Sequence, residues 1–237
     1  MGADTAKTLN PLTGRGIRSI ARNAFFLMGS HWVNILIRLC YVIFLARWLG
    51  PELYGLFNYA MSWYLVMLPL AGLGLGIIMG REIPRNPDSR VDVLSGTFSL
   101  RVISSAFCAL LCALSGLLLE ENPEARNVLL VFSSALMGRS IASWTSSAFT
   151  AFESSQYILL FHSVFRFAEL LFSVTYILLG GELLGLSLIH SLSWWAEAMF
   201  SLHWIKRSIS AVAFRMRKKE LANYFSRGLL LGIFALS

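Results

Sequence analysis

The sequence predicts an all-α integral membrane protein: a lobe of six transmembrane helices followed by the start of a seventh. Composition is the first observation. Of the 237 residues, 56% are hydrophobic and only 14% charged, and the mean hydropathy is +0.64. A soluble domain carries about 25% charged residues, because it must keep a charged coat in water. Run length is the second observation. Several apolar stretches reach the roughly 20 residues that a helix needs to cross a hydrocarbon core of about 30 Å. They are continuous and not alternating, which selects helices over a barrel.

Taken in order, residues 1–22 form a polar, basic tail. The helix that follows is too long for a signal-peptide core, and Ala6 stands where a myristoylation motif at Gly2 requires Ser or Thr. The first span runs from about Asn23 to Trp48 and is interrupted by Arg38. The second, about Leu53 to Gly80, carries no charge. The third covers about Val91 to Leu119, the fourth Asn127 to Thr150, the fifth Tyr157 to Leu179 and the sixth Leu183 to Ile205. Together they make a six-helix lobe over residues 23–205. Residues 206–225 form a basic linker, and 226–237 begin a seventh apolar run that is still open at Ser237. The connections are short and rich in turn residues: Gly50-Pro51, Pro84 to Asp88, Glu121 to Glu124, and Gly180-Gly181. Such brief links make consecutive spans antiparallel neighbours.

The net charge of +7 would point to nucleic acid in a soluble protein; here it reports orientation. With the N-terminus inside, 14 of the 20 Lys and Arg fall on the cytoplasmic side, and only Arg47 and Arg126 fall outside. The expected location is therefore the inner membrane, multi-pass, with a cytoplasmic N-terminus. Within the linker, Ser208 to Ala222 reads equally as an interfacial amphipathic helix or as a solvated basic segment.

Four basic residues remain, all inside apolar spans: Arg38, Arg101, Arg139 and Arg166. Glu169 and Glu197 join them. Each such residue opposes insertion by about 2.5–3.5 kcal/mol at a helix centre, so they should face a bundle interior or a wet cavity. Arg101 reads either as a cavity residue or as a side chain snorkelling to the cytoplasmic surface. Arg166 and Glu169 lie at i, i+3, placed to neutralise one another. Glu197 reads as the partner of an arginine on another helix or as an ion-coupling site, a role also open to Glu169. His31 and His190 read as interior histidines satisfied by neighbours. Arg38 and Arg139 have no acid on a neighbouring turn. Four arginines against two glutamates leave two guanidinium groups in excess, and guanidinium binds phosphate in a bidentate way. The implied ligand is anionic.

Gly72, Gly76 and Gly80 form a small-residue stripe suited to close helix packing, with a bend near Pro69 as the alternative reading. Cys40, Cys108 and Cys112 lie in apolar runs without acids or histidines beside them, so they read as packing residues and not as a metal or redox site. There is no acid pair, no Ser/His/Asp set and no metal-ligand spacing; the chain does not read as an enzyme, and no cofactor is expected.

At the first two spans, the run Leu45-Ala46-Arg47-Trp48-Leu49-Gly50-Pro51-Glu52-Leu53-Tyr54-Gly55-Leu56-Phe57 resembles the signature of oligosaccharide flippases. These form the polysaccharide transporter branch of the multidrug/oligosaccharidyl-lipid/polysaccharide exporter superfamily. Gly72-Leu73-Gly74-Leu75, Arg81-Glu82-Ile83 and Asn23 fit the same pattern. The resemblance implies a two-lobe flippase fold with a central cavity, of which this chain is the N-terminal half, and hence a fragment. It also implies movement of lipid-diphosphate-linked oligosaccharide across the inner membrane for cell-surface polysaccharide biosynthesis, beside polysaccharide synthesis machinery. Arg38, Arg139 and Arg166 are the candidate diphosphate ligands by position in the spans. Two other readings stand: a multidrug extrusion antiporter of the same superfamily, which would favour an acidic cavity, and a non-transporting scaffold of a polysaccharide synthesis complex.

Overall fold

The computed structural model describes residues 14–215 and 224–228, with side chains from residue 21 onward. Among the described residues there are six α-helices and no strand: α1 (Gly14–Gly72), α2 (Leu75–Arg85), α3 (Arg90–Leu119), α4 (Pro123–Ala151), α5 (Gln156–Leu178) and α6 (Leu183–Ser208). They do not match the six predicted spans one to one. The first span and most of the second are both contained in α1, the remainder of the second is α2, and α3 to α6 correspond to spans three to six.

The two arms of α1 join at Gly50, whose φ of 72° and ψ of 173° lie outside the helical region. Glycine reaches that conformation without a Cβ clash, and Pro51 then restarts a helix with its φ already fixed. Sixteen residues of unbroken helix would span about 24 Å. The rings of Tyr41 and Phe57 instead lie 6.5 Å apart, so the chain reverses at Gly50. Leu45, Phe57, Ala60 and Tyr64 close the hairpin into the main core.

A second break separates α1 from α2. Leu73 and Gly74 both adopt left-handed backbone (φ 47° and 60°), which frees the last carbonyls of α1. The predicted glycine stripe is therefore interrupted. Gly72 ends α1 against the Arg101 guanidinium, Gly76 lies on α2 against the Ser147 hydroxyl, and Gly80 meets open space. A close approach of two long helices lies elsewhere: a Cβ on Gly138 of α4 would lie 3.0 Å from the Trp195 backbone nitrogen on α6. These two helices pack most extensively, and α4 is the most enclosed helix of the bundle.

The corners follow local chemistry. Asn122 caps α4, its Oδ1 accepting from the Glu124 and Ala125 N–H groups at 2.9 and 3.3 Å, with Pro123 in the first turn. Between α5 and α6, Gly180 (φ 82°) donates to the Ile177 carbonyl, and Gly181 to that of Tyr176. At the α4–α5 corner the Ser155 N–H donates to Asn23 Oδ1 at 3.0 Å, tying the start of the bundle to its middle.

Four helical stretches among the described residues are long and apolar enough to cross a membrane: Ala21–Arg85, Pro87–Leu119, Pro123–Ala151 and Gln156–Leu178. The outer surface is rich in exposed Leu and Phe, for example Leu118, Phe172 and Leu179, as a lipid-facing surface requires. The interior combines its apolar core with many small polar residues such as Ser95, Ser140 and Ser187.

The linker is described only in part. Residues 210–215 form no helix and run against α3. The Ala213 and Arg215 N–H groups donate to the buried hydroxyls of Ser95 and Ser99 at 3.2 and 2.8 Å, and Arg215 pairs with Asp92 at 2.6 Å. Residues 216–223, and 229–237 of the expected seventh span, lie outside the described residues. Residues 224–228 are helical, with Tyr224 packed on Leu75, Ile78 and Leu100.

Candidate functional site

A cavity of about 330 Å³ opens between both arms of α1 and the inner faces of α4, α5 and α6. Helical periodicity builds its first wall. His31, Asn34, Arg38 and Tyr41 recur at spacings of three and four along the first arm, so they form one ladder of polar groups, about 15 Å long at 1.5 Å per residue. Asn58 and Met61 of the second arm face it. Arg139, Arg166, Glu169, His190 and Trp194 close the far side.

The arginines divide into two kinds. Arg38 is exposed, lines the cavity and has no hydrogen bond or ion pair among the described residues. Arg139 is half-buried; its Nη1 donates to the Tyr64 hydroxyl at 2.8 Å, and its guanidinium lies 4.9 Å from the Trp194 ring and 5.1 Å from that of Tyr64. It has no carboxylate partner among the described residues. An aromatic face steadies a guanidinium without neutralising it. Arg166 is the opposite case. It pairs with Glu169 through Nη1, and with Glu197 (3.1 Å) and Ser193 Oγ (3.0 Å) through Nη2, while its Cζ sits 3.7 Å from the Trp194 ring centre.

The carboxylates extend this pairing into a chain. The second oxygen of Glu169 meets His190 Nδ1 at 2.6 Å, and the second oxygen of Glu197 meets His162 Nδ1. Five ionisable side chains thus run His190–Glu169–Arg166–Glu197–His162 between α5 and α6. The i, i+3 pairing expected of Arg166 and Glu169 is present, and Glu197 reaches the same arginine from the neighbouring helix. On its far side, Glu169 also lines a nearly wholly apolar crevice of about 520 Å³ between α5 and α6.

Arg101, grouped with the cavity arginines from sequence, lies elsewhere. It is 6% exposed, so it does not snorkel, and it does not line the cavity. Its Nε donates to the Ser140 carbonyl at 2.9 Å and its Nη1 to that of Ala71 at 3.4 Å, where Ser104 Oγ also donates at 2.8 Å. Ala71 is one of the carbonyls released by the break at Leu73–Gly74. A cation there satisfies orphan acceptors and complements the negative end of a helix. Arg101 therefore joins α1, α3 and α4 as a structural clasp.

Sequence reasoning missed His162 and the chain it terminates. A signal was available: His162, Arg166 and Glu169 on α5, and His190, Trp194 and Glu197 on α6, each repeat at intervals of four and three. Each set therefore shares one helical face. His31 lines the cavity and is exposed, not enclosed as expected.

With neutral imidazoles, the cavity and the chain behind it together hold Arg38, Arg139 and Arg166 against Glu169 and Glu197, one net positive charge. Both carboxylates fall on Arg166, so Arg38 and Arg139 stay without a carboxylate partner among the described residues; with Arg101 outside the cavity the surplus is one charge, where the count of four arginines against two glutamates gave two. Such a site can bind and orient an anion. The described residues contain no group of three or more metal-ligating side chains.

A family model described as "Polysaccharide biosynthesis protein" matches residues 20–237. Comparison with curated proteins gives no match. Among solved structures, the chain is similar to a multidrug resistance MATE family transporter of the MOP superfamily in its outward-facing conformation, with 16% identity and a TM-score of 0.70. The similarity covers 92% of this chain and 52% of that one, so the chain spans about half the length of the solved transporter. At this identity the likeness is one of fold.

Proposed function

Since the chain belongs to the polysaccharide biosynthesis protein family, we propose that it forms the N-terminal lobe of a transporter that moves lipid-diphosphate-linked oligosaccharide across the inner membrane. Several apolar helices and the family make it a multi-pass membrane protein. The proposal adds the cargo, the orientation with a cytoplasmic N-terminus, and work alongside polysaccharide synthesis machinery. One observation carries it: Arg38 and Arg139 share a membrane-embedded cavity without a carboxylate partner among the described residues, while Arg166 takes both available acids. A guanidinium without a carboxylate partner favours an anion, and a diphosphate offers paired oxygens to both groups. The ladder of Asn34 and His31 beside them presents hydrogen-bonding groups to a hydrated glycan.

The likeness to a multidrug transporter favours a second reading, extrusion of organic cations. That reading wants free carboxylates in the cavity, and here Arg166 binds both. The test is the double variant Arg38→Ala, Arg139→Ala, assayed for translocation of lipid-linked oligosaccharide at normal protein abundance. Hydrogen bonds to charged groups contribute about 1.5–3 kcal/mol each, so a loss of at least about tenfold is expected. Transport by the variant at the wild-type rate would remove Arg38 and Arg139 from cargo binding, and absence of oligosaccharide translocation by the wild-type protein would leave a scaffold or a cation exporter.

A further inference from the structure

The His190–Glu169–Arg166–Glu197–His162 chain is more than a neutralised ion pair. Arg166, Glu169 and Glu197 are 7%, 5% and 1% exposed. With neutral imidazoles the chain holds one guanidinium against two carboxylates, a net single negative charge in a dry setting. His190 is itself 5% exposed. Its Nδ1 is engaged by Glu169, which fixes the ring and its tautomer, while its Nε2 is buried without a hydrogen-bond partner. A carboxylate-anchored imidazole with an unused ring nitrogen is arranged to accept a proton there. The ring stacks on Phe132 at 5.1 Å and lines the cavity that holds Arg38 and Arg139. At the far end, the His162 side chain is 18% exposed, so the chain runs from a partly open terminus to the cavity.

We infer that this five-residue chain is a one-proton site, with the proton resting on His190, and that filling it strengthens binding of an anionic ligand in the adjoining cavity. The inference rests on the anion-binding reading above. The step is simple: the His190 Nε2 lone pair forms an N–H bond with a proton from solvent, and the ring gains one positive charge while Nδ1 keeps its bond to Glu169. The titratable groups facing the chain or lining its cavity are His31, Arg38, Tyr41, Tyr54 and Tyr64 from α1, Arg139 from α4, and its own members on α5 and α6. Charge decides the sign. Empty, the cavity and chain together carry one positive charge, and a proton raises this to two. A diphosphate diester brings about two negative charges, so the occupied site stands at one negative charge and a proton makes it neutral. Each ligand therefore favours the other, and reciprocity is required by linkage. The extra affinity is present at low pH, where the imidazole is charged, and is lost as pH rises.

The test uses this chain in lipid nanodiscs with farnesyl-diphospho-N-acetylglucosamine, a diphosphate diester whose own charge is fixed across the histidine range of about pH 5–8. Calorimetric titration in two buffers of different ionisation enthalpy counts protons taken up on binding. Net uptake is expected, up to one proton, with affinity tightening on the order of tenfold from about pH 8 to 6. The double variant His190→Gln, His162→Gln should lose the uptake; ¹⁵N-histidine resonances of the wild-type chain follow the same proton should that variant fail to fold. Probe binding without uptake, with proton release, or with uptake persisting in the double variant overturns the inference and leaves the cavity reading intact. Failure of the wild-type chain to bind the probe overturns the cavity reading, and the inference falls with it.

Discussion

Removing the Arg166 guanidinium should unfold the lobe far more readily than removing that of Arg139, although both arginines line one cavity. Arg166→Met leaves Glu169 and Glu197, 5% and 1% exposed, without their shared cation. Breaking a buried ion pair by deleting one partner costs about 3–5 kcal/mol, because the remaining charge is stranded in low dielectric. Two carboxylates are stranded here, but each keeps an imidazole, so the loss stays within that range and does not double. For a domain of this size about 1 kcal/mol shifts the midpoint by about 2–4 °C, giving an expected drop of roughly 6–20 °C. Arg139→Met loses one hydrogen bond to Tyr64 and two ring contacts with no acid left behind, about 1–2 kcal/mol. Replacing a whole buried ionic group by neutral residues is often close to neutral, so Arg166→Met combined with Glu169→Gln and Glu197→Gln should recover most of the loss. Thermal unfolding in detergent, followed by tryptophan fluorescence, reads all of this, and Trp194 lies against Arg166 as a local reporter. If Arg166→Met melts no lower than Arg139→Met, Arg166 is not the structural hub described above.

Two further perturbations probe the scaffold. Arg101→Met should cost about 1.5–3 kcal/mol by removing its donor from the Ser140 carbonyl and leaving only Ser104 Oγ on that of Ala71, and should raise hydrogen exchange around residues 71–75; unchanged exchange there would remove its role as a clasp. Gly138→Val should push α4 from α6, because a Cβ meets the Trp195 backbone at 3.0 Å, and should lower the unfolding midpoint by about 3–10 °C, whereas Gly80→Val, facing open space, should shift it little.

The sequence by itself determined that the chain is helical and membrane-embedded. Hydropathy and helix length are local quantities, set by about 20 consecutive residues and the thickness of a bilayer. It determined equally that a few charges sit where charge is costly, and the i, i+3 spacing of Arg166 and Glu169 made that pair visible. Only the tertiary structure decided which charges meet. The sequence count left two guanidinium groups in excess but could not say which. The answer depends on α5 and α6 facing one another, so that Glu197 turns to Arg166 and away from Arg139. The same holds for Arg101. Its partner is a helix end created by left-handed backbone at Leu73 and Gly74, inside an apolar run that periodicity reads as unbroken. Gly138 escaped notice because a glycine's packing role depends on the helix opposite, and the stripe at Gly72, Gly76 and Gly80 showed only spacing. A one-dimensional pattern gives the face on which a charge lies. What neutralises it is set by the side chains across the gap, which the fold alone brings within a few ångströms.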